Sequence, residues 1–183
     1  MSDLTLLGLS GSLRKGALNR RLLAEAVTRF RPATYLEGDL RLPLYDGDLE
    51  EARGVPEEVT RLAEQIRTAD AVVISSPEYN KGITGVLKNA LDWISRAEGQ
   101  VLAGKPTAVI SANAGRTGGE TGQYMLRACL VPHGARVLTG PPVLVANGEK
   151  EFDDDGRLVT ESYQKALDGL IAALREEAEA RRG

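Results

Sequence analysis

The stretch Leu4-Thr5-Leu6-Leu7-Gly8-Leu9, running directly into Ser10-Gly11-Ser12-Leu13-Arg14-Lys15-Gly16-Ala17-Leu18-Asn19, decides how the chain is read. Its first half is apolar on both alternating faces, as in a strand buried inside a parallel sheet. Its second half is a polar turn that opens a helix, whose Leu22, Leu23, Ala26, Val27 and Phe30 recur at the spacing of one buried face. A strand, a tight polar loop and a helix make the first half of a crossover unit, and the rest of the sequence repeats that alternation.

A short second strand is predicted around Thr34 to Leu36, and Leu40 to Gly54 reads as a loop. Pro56 fits the first turn of a helix carrying Val59, Leu62, Ala63 and Ile66. Ala71 to Ser75 is a third strand, the turn Ser76 to Gly85 follows it, and Leu87, Ala90, Leu91 and Ile94 mark the next helix. Thr107 to Ala112 is a fourth strand, Asn113 to Gly122 a glycine-rich loop, and a helix then runs through Met125 and Cys129 towards Gly134. Arg136 to Leu138 and Val143 to Val145 compete for the fifth strand, separated by Gly140-Pro141-Pro142. The last helix buries Tyr163, Ala166, Leu167, Leu170, Ile171 and Leu174, and its charged end, Arg175 to Arg182, is expected to fray. Five strand–helix alternations predict one α/β domain over residues 1–183, an open doubly wound parallel sheet. Ligands of such sheets lie beyond the carboxyl ends of the strands, where the loops after strands one, three and four converge.

Composition narrows the function. The 183 residues carry a net charge of −3, which gives no basic footprint for nucleic acid or an anionic membrane. No apolar run approaches the roughly 18 residues of a membrane span, and the start of the chain has no signal-peptide pattern. One cysteine, Cys129, and one histidine, His133, exclude an internal disulfide and a structural zinc site. A soluble cytoplasmic protein is the expectation.

Three loops carry the candidate chemistry. The first either offers main-chain N–H groups, Ser12, Asn19 and the Arg14 guanidinium to an anion, or is an ordinary turn with Asn19 as a helix cap. The second, Pro77-Glu78-Tyr79-Asn80-Lys81-Gly82-Ile83-Thr84-Gly85, suits the edge of a flat heterocycle, with Tyr79 as apolar cover or as a packing residue. Trp93, further on, reads as packing. The third, Asn113-Ala114-Gly115-Arg116-Thr117-Gly118-Gly119, lets backbone approach a ligand closely or is a surface loop. There is no G-x-G-x-x-G and no G-x-S-x-G elbow. Gly99 to Lys105 has the Walker A spacing, but Pro106 stands where a magnesium-binding Ser or Thr is required.

The run Gly-Ser-Leu-Arg-Lys-Gly-x-x-Asn from Gly11 to Asn19, combined with Pro77-Glu78-Tyr79-Asn80 and Leu87-Lys88-Asn89-Ala90-Leu91-Asp92-Trp93, resembles the NADPH-dependent FMN reductase family, in particular its chromate and quinone reductase branch. The resemblance covers nearly the whole chain. It implies a flavodoxin-like sheet of order 2-1-3-4-5 with FMN at its carboxyl edge. By the same resemblance Ser12, Leu13, Arg14, Ala17, Leu18 and Asn19 hold the FMN phosphate. Pro77, Glu78, Tyr79 and Asn80 border the isoalloxazine, and the third loop closes over it near Ala112 and Gly115. The implied activity is ping-pong hydride transfer from NADPH (or NADH) through FMN to a small-molecule acceptor: a quinone, free flavin, an azo compound or an oxidised metal anion such as chromate. No catalytic side chain is implied, and a homodimer or homotetramer is the expected assembly. A flavodoxin-type electron carrier is the alternative. The sequence departs from the family pattern in four places. Ala17 and Ala112 stand where serines are common, Thr84 replaces a proline and so implies a less rigid second loop, and Glu120-Thr121 replaces Ala-Arg.

Overall fold

The computed structural model describes residues 3–182; Met1, Ser2 and Gly183, which complete the expected 1–183 span, lie outside the described residues. The strands are β1 (Thr5–Ser10), β2 (Thr34–Gly38), β3 (Ala71–Ser75), β4 (Pro106–Ala112), β5 (Arg136–Val137) and β6 (Val143–Val145). All pair in parallel, in the order β2-β1-β3-β4-β5, with β6 also on β4. The helices are α1 (Leu18–Phe30), α2 (Gly47–Arg53), α3 (Glu57–Thr68), α4 (Gly85–Ile94), α5 (Glu120–Leu130) and α6 (Glu161–Ala180).

Strand alternation divides the core in two. Leu4, Leu6, Ala71, Val73, Ala108, Ile110 and Ala112 point to the layer containing α1 and α6. Leu7, Leu9, Val72, Ile74 and Val109 point to the layer of α3, α4 and α5. Both faces of β1, β3 and β4 are therefore dry, which is why these strands read as continuous apolar runs. The expected sheet order is observed.

Three local expectations are corrected. The fifth position of the sheet is filled by both candidates in turn: β5 pairs with Pro106 and Thr107 at the start of β4, and β6 pairs with Ile110, Ser111 and Ala112 at its end. The stretch Leu40 to Gly54 is not all loop, because α2 forms within it. Asp46 caps α2 by accepting from the Asp48 N–H at 2.9 Å, and Glu50 pairs with Arg96 at 3.0 Å. The segment before α2 is pinned by α4: Asn89 Oδ1 accepts from Tyr45 N–H, while Asn89 Nδ2 and Trp93 Nε1 both donate to the Pro43 carbonyl. Trp93 is thus fully buried packing with its one polar atom satisfied. Finally, the charged end of α6 is anchored. Ala178 is buried, and Arg182 donates to Asp70 at 2.7 Å and to the Asp3 carbonyl at 2.8 Å.

A candidate flavin site

The carboxyl ends of β1, β3 and β4 bring the three polar loops to one edge. The loop after β1 leaves the sheet with Gly11 N–H donating to the Ser75 carbonyl at 2.8 Å. A Cβ at Gly11 would lie 2.4 Å from the Ser76 hydroxyl, so only glycine fits there. Beyond it, Ser10 Oγ binds the Ser12 carbonyl and Ser12 N–H, which folds the loop back on itself. Ala17 N–H closes a turn onto the Arg14 carbonyl at 3.1 Å.

What the loop leaves open matters most. Among the described residues, the main-chain N–H groups of Leu13, Arg14, Lys15, Gly16, Leu18 and Asn19 have no partner. Ala17, at the N-cap of α1, provides no side-chain cap, and the first turn has no acidic residue. Arg14 and Lys15 are exposed and belong to none of the ion pairs among the described residues. Unpartnered donors and a helix dipole thus meet in one loop, which also carries two cations that no protein anion pairs with, a donor set suited to a phosphate.

The loop after β3 is built as a tight turn. Tyr79 and Gly82 exchange two main-chain hydrogen bonds at 3.0 Å, and Asn80 and Lys81 both take positive φ, 50° and 67°. That is a type I′ turn, for which Asn suits the first central position and glycine would suit the second. Tyr79 projects outward and is 56% exposed, so its ring is free to cover a ligand rather than committed to the core. Lys81 pairs with Glu78 at 3.5 Å. Thr84 proves to be the N-cap of α4, buried, with its hydroxyl accepting from Leu87 N–H at 3.4 Å, so the loop is fastened where the lost proline implied looseness.

The loop after β4 is fastened from below and open above. Gly115 accepts from Asn147 N–H at 3.1 Å, and Asn113 accepts from Gly148 N–H at 2.8 Å. No atom lies within 4 Å of a Cβ built on Gly115, whereas one built on Gly118 would fall 2.4 Å from the Leu144 backbone. Ala114 to Thr117 are exposed, and Arg116 has no ion pair among the described residues.

Hydrogen bonds that the sequence did not reveal join these loops. Glu78 carries its side chain inward, 7% exposed, where Oε2 accepts from Gly122 N–H at 2.9 Å in the first turn of α5. Its own N–H donates to Asn113 Oδ1 at 3.1 Å. The second loop therefore caps the helix that follows the third. Asn19 is buried and bonded to Ala112 and Ser75, so of its groups the main-chain N–H is what it can offer a phosphate. Ala112 is itself buried beneath the third loop, and Pro77 is buried at the root of the second. Ser12 and Leu18 sit at the cradle, Ser12 5% exposed and Leu13 projecting at 39%.

Cys129 is partly buried against the core, as a small apolar residue. His133 is partly buried, which pushes its pKa down, and it makes no bond to a serine. No helix is long and apolar enough to cross a membrane, and no group of acidic, His and Cys residues able to hold a metal occurs among the described residues.

Comparison with known proteins agrees with this geometry. Residues 4–150 match the family model described as NADPH-dependent FMN reductase. An NAD(P)H-dependent FMN reductase of Pseudomonas aeruginosa is 41% identical over 174 residues, 94% of each chain. A quinone reductase of Escherichia coli is 39% identical over 173 residues, 92% of each. Among solved structures, the flavoenzyme NAD(P)H:(acceptor) oxidoreductase FerB of Paracoccus denitrificans superposes with a TM-score of 0.86 at 32% identity, covering 97% of this chain and 98% of that one. The chain belongs to the NADPH-dependent FMN reductase family, as an oxidoreductase of the FMN- and quinone-reducing kind.

Proposed function

We propose that this protein binds FMN at the carboxyl edge of its sheet and uses NAD(P)H to reduce small acceptors, quinones first among them and azo compounds and chromate in the same class. The observation that carries the proposal is the first loop: unpartnered N–H donors and two unpaired cations at an uncapped helix start, beside a third loop with open space over Gly115. FMN, when bound, supplies the ring that accepts a hydride and passes electrons on. The chain supplies everything else. The unpartnered N–H groups of Leu13, Arg14, Lys15, Gly16, Leu18 and Asn19 and the Arg14 guanidinium would hold the phosphate. The Pro77–Asn80 turn is rigid enough to fix the ring edge, and exposed Tyr79 shields part of it from water. Arg116, exposed on the third loop and without an ion pair among the described residues, is available to an anionic portion of the dinucleotide or acceptor. No side chain is needed as nucleophile or acid. Dependence on NAD(P)H fits a place in the cytoplasm.

Self-association belongs to the same proposal. Leu44, Tyr79, Tyr124 and Met125 are 80%, 56%, 65% and 42% exposed, and Met125 lies against Gly82 of the second loop. Large apolar groups left exposed on one molecule are suited to burial by a second copy.

The deciding measurement is the visible spectrum of the purified protein, reconstituted with FMN where needed. Oxidised-flavin bands that NADPH bleaches without oxygen, and that a benzoquinone restores, are expected. Bands that NADPH alone leaves unchanged would point to an electron carrier, and failure to take up FMN would overturn the cofactor.

A further inference from the structure

Each hydrogen bond of the Asn19 side chain is made within the protein. Oδ1 accepts from Ala112 N–H at 3.0 Å and from the Ser75 hydroxyl at 3.1 Å, and Nδ2 donates to the Ala112 carbonyl at 2.7 Å. This sets the amide's orientation, because a main-chain N–H must meet the oxygen and a carbonyl must meet the NH2. Ser75 is the last residue of β3 and Ala112 the last of β4, so one side chain from the start of α1 fastens the points where both ring-side loops leave the sheet. The residue is 2% exposed, and Ser75 is fully buried, so the amide is committed to these partners and presents little surface to a ligand.

We infer that the Asn19 side chain is a positioning group, which holds the loops after β3 and β4 in fixed relation to each other and to the phosphate cradle, and that it is not a ligand of the phosphate. The inference rests on the flavin reading of the site. A flat ring gripped between two loops is sensitive to their spacing, and a displacement of even an ångström loosens the contacts of both. A buried amide with three bonds resists that displacement because opening it leaves the Ala112 N–H and carbonyl unpaired.

The test compares FMN with riboflavin, which has the ring and lacks the phosphate. Apoprotein is titrated with each by flavin fluorescence, for wild type, Asn19→Ala and Ser75→Ala, and the visible spectrum of each saturated protein is recorded. Asn19→Ala is expected to weaken both ligands by about tenfold, keeping their ratio, and to alter the shape of the bound-flavin bands. Ser75→Ala, which removes one bond and leaves the rest, should move both in the same direction by less, and it carries the test if Asn19→Ala does not fold. Loss of FMN affinity with riboflavin unchanged would overturn the inference, since a phosphate ligand behaves that way. So would a lower Tm with wild-type affinities and spectrum, the behaviour of a residue that supports the fold alone. Wild-type protein that binds neither flavin would instead overturn the reading of the site beneath it.

Discussion

The two ends of the sheet carry similar charges in opposite states. At the amino end, Arg67, Asp70, Lys105, Arg181 and Arg182 line a cavity of about 240 Å³. Most of those charges are answered within the protein: Lys105 donates to the Arg67 and Ala69 carbonyls, Arg67 to Glu64 and the Glu98 carbonyl, and Arg182 to Asp70. Burial pushes the Lys105 pKa down, as it does for an ammonium taken from water to serve a structural role. At the carboxyl end, by contrast, Arg14, Lys15 and Arg116 have no counter-ion among the described residues and a row of N–H groups has no acceptor within the protein. Concavity marks the first end and unanswered polarity marks the second. For this fold the second is the better guide to function, because donors at an uncapped helix start, flanked by cations with no protein counter-ion, favour an anionic ligand.

The contrast can be broken by mutation at either end. Arg14→Ala should weaken FMN roughly ten- to a hundredfold while leaving riboflavin almost unchanged, measured by fluorescence titration of apoprotein. Equal losses would mean that the first loop does not hold the phosphate. Glu78→Ala removes the buried acceptor at the start of α5 and should cost about 1–2 kcal/mol of stability, read from urea unfolding. Because the second and third loops then part, both flavins should bind more weakly; an unchanged flavin affinity would show that α5 and the turn are not coupled. At the amino end, Lys105→Met should cost about 1 kcal/mol through the two orphaned carbonyls and leave FMN affinity as it was. A loss of FMN binding there would erase the distinction between the ends. Lys81→Gly, which relieves a left-handed non-glycine residue in a type I′ turn, should raise stability by about 1 kcal/mol or less. Its ion pair with Glu78 is three-quarters exposed on the lysine side and contributes little.

Much of the fold was legible because burial on both faces writes itself into the strands: β1, β3 and β4 are nearly uninterrupted apolar runs. Helix α2 was not, since none of its residues is buried and an exposed helix leaves no apolar period. The end of α6 looked ready to fray because its anchor is an ion pair to Asp70, 112 residues away, which no local pattern announces. The site divides in the same way. Its loops could be located from glycine, charge and their position after strands. The direction of Glu78, inward to cap α5, and of Asn19, sideways to β4, depends on tertiary neighbours 44 and 93 residues distant. The resemblance assigned both residues to the flavin; in the structure their side chains are bonded within the frame around the site.

The interrupted fifth position has a consequence for how copies of this molecule meet. An open sheet ends in strands whose outer N–H and carbonyl groups can template another strand. Here that border is cut into a two-residue and a three-residue piece, with Pro141 and Pro142, which have no N–H to donate, between them. A neighbouring chain therefore finds no continuous ladder to extend on that side. The same break that made the strand ambiguous to read guards the border of the sheet against edge-to-edge growth into aggregates.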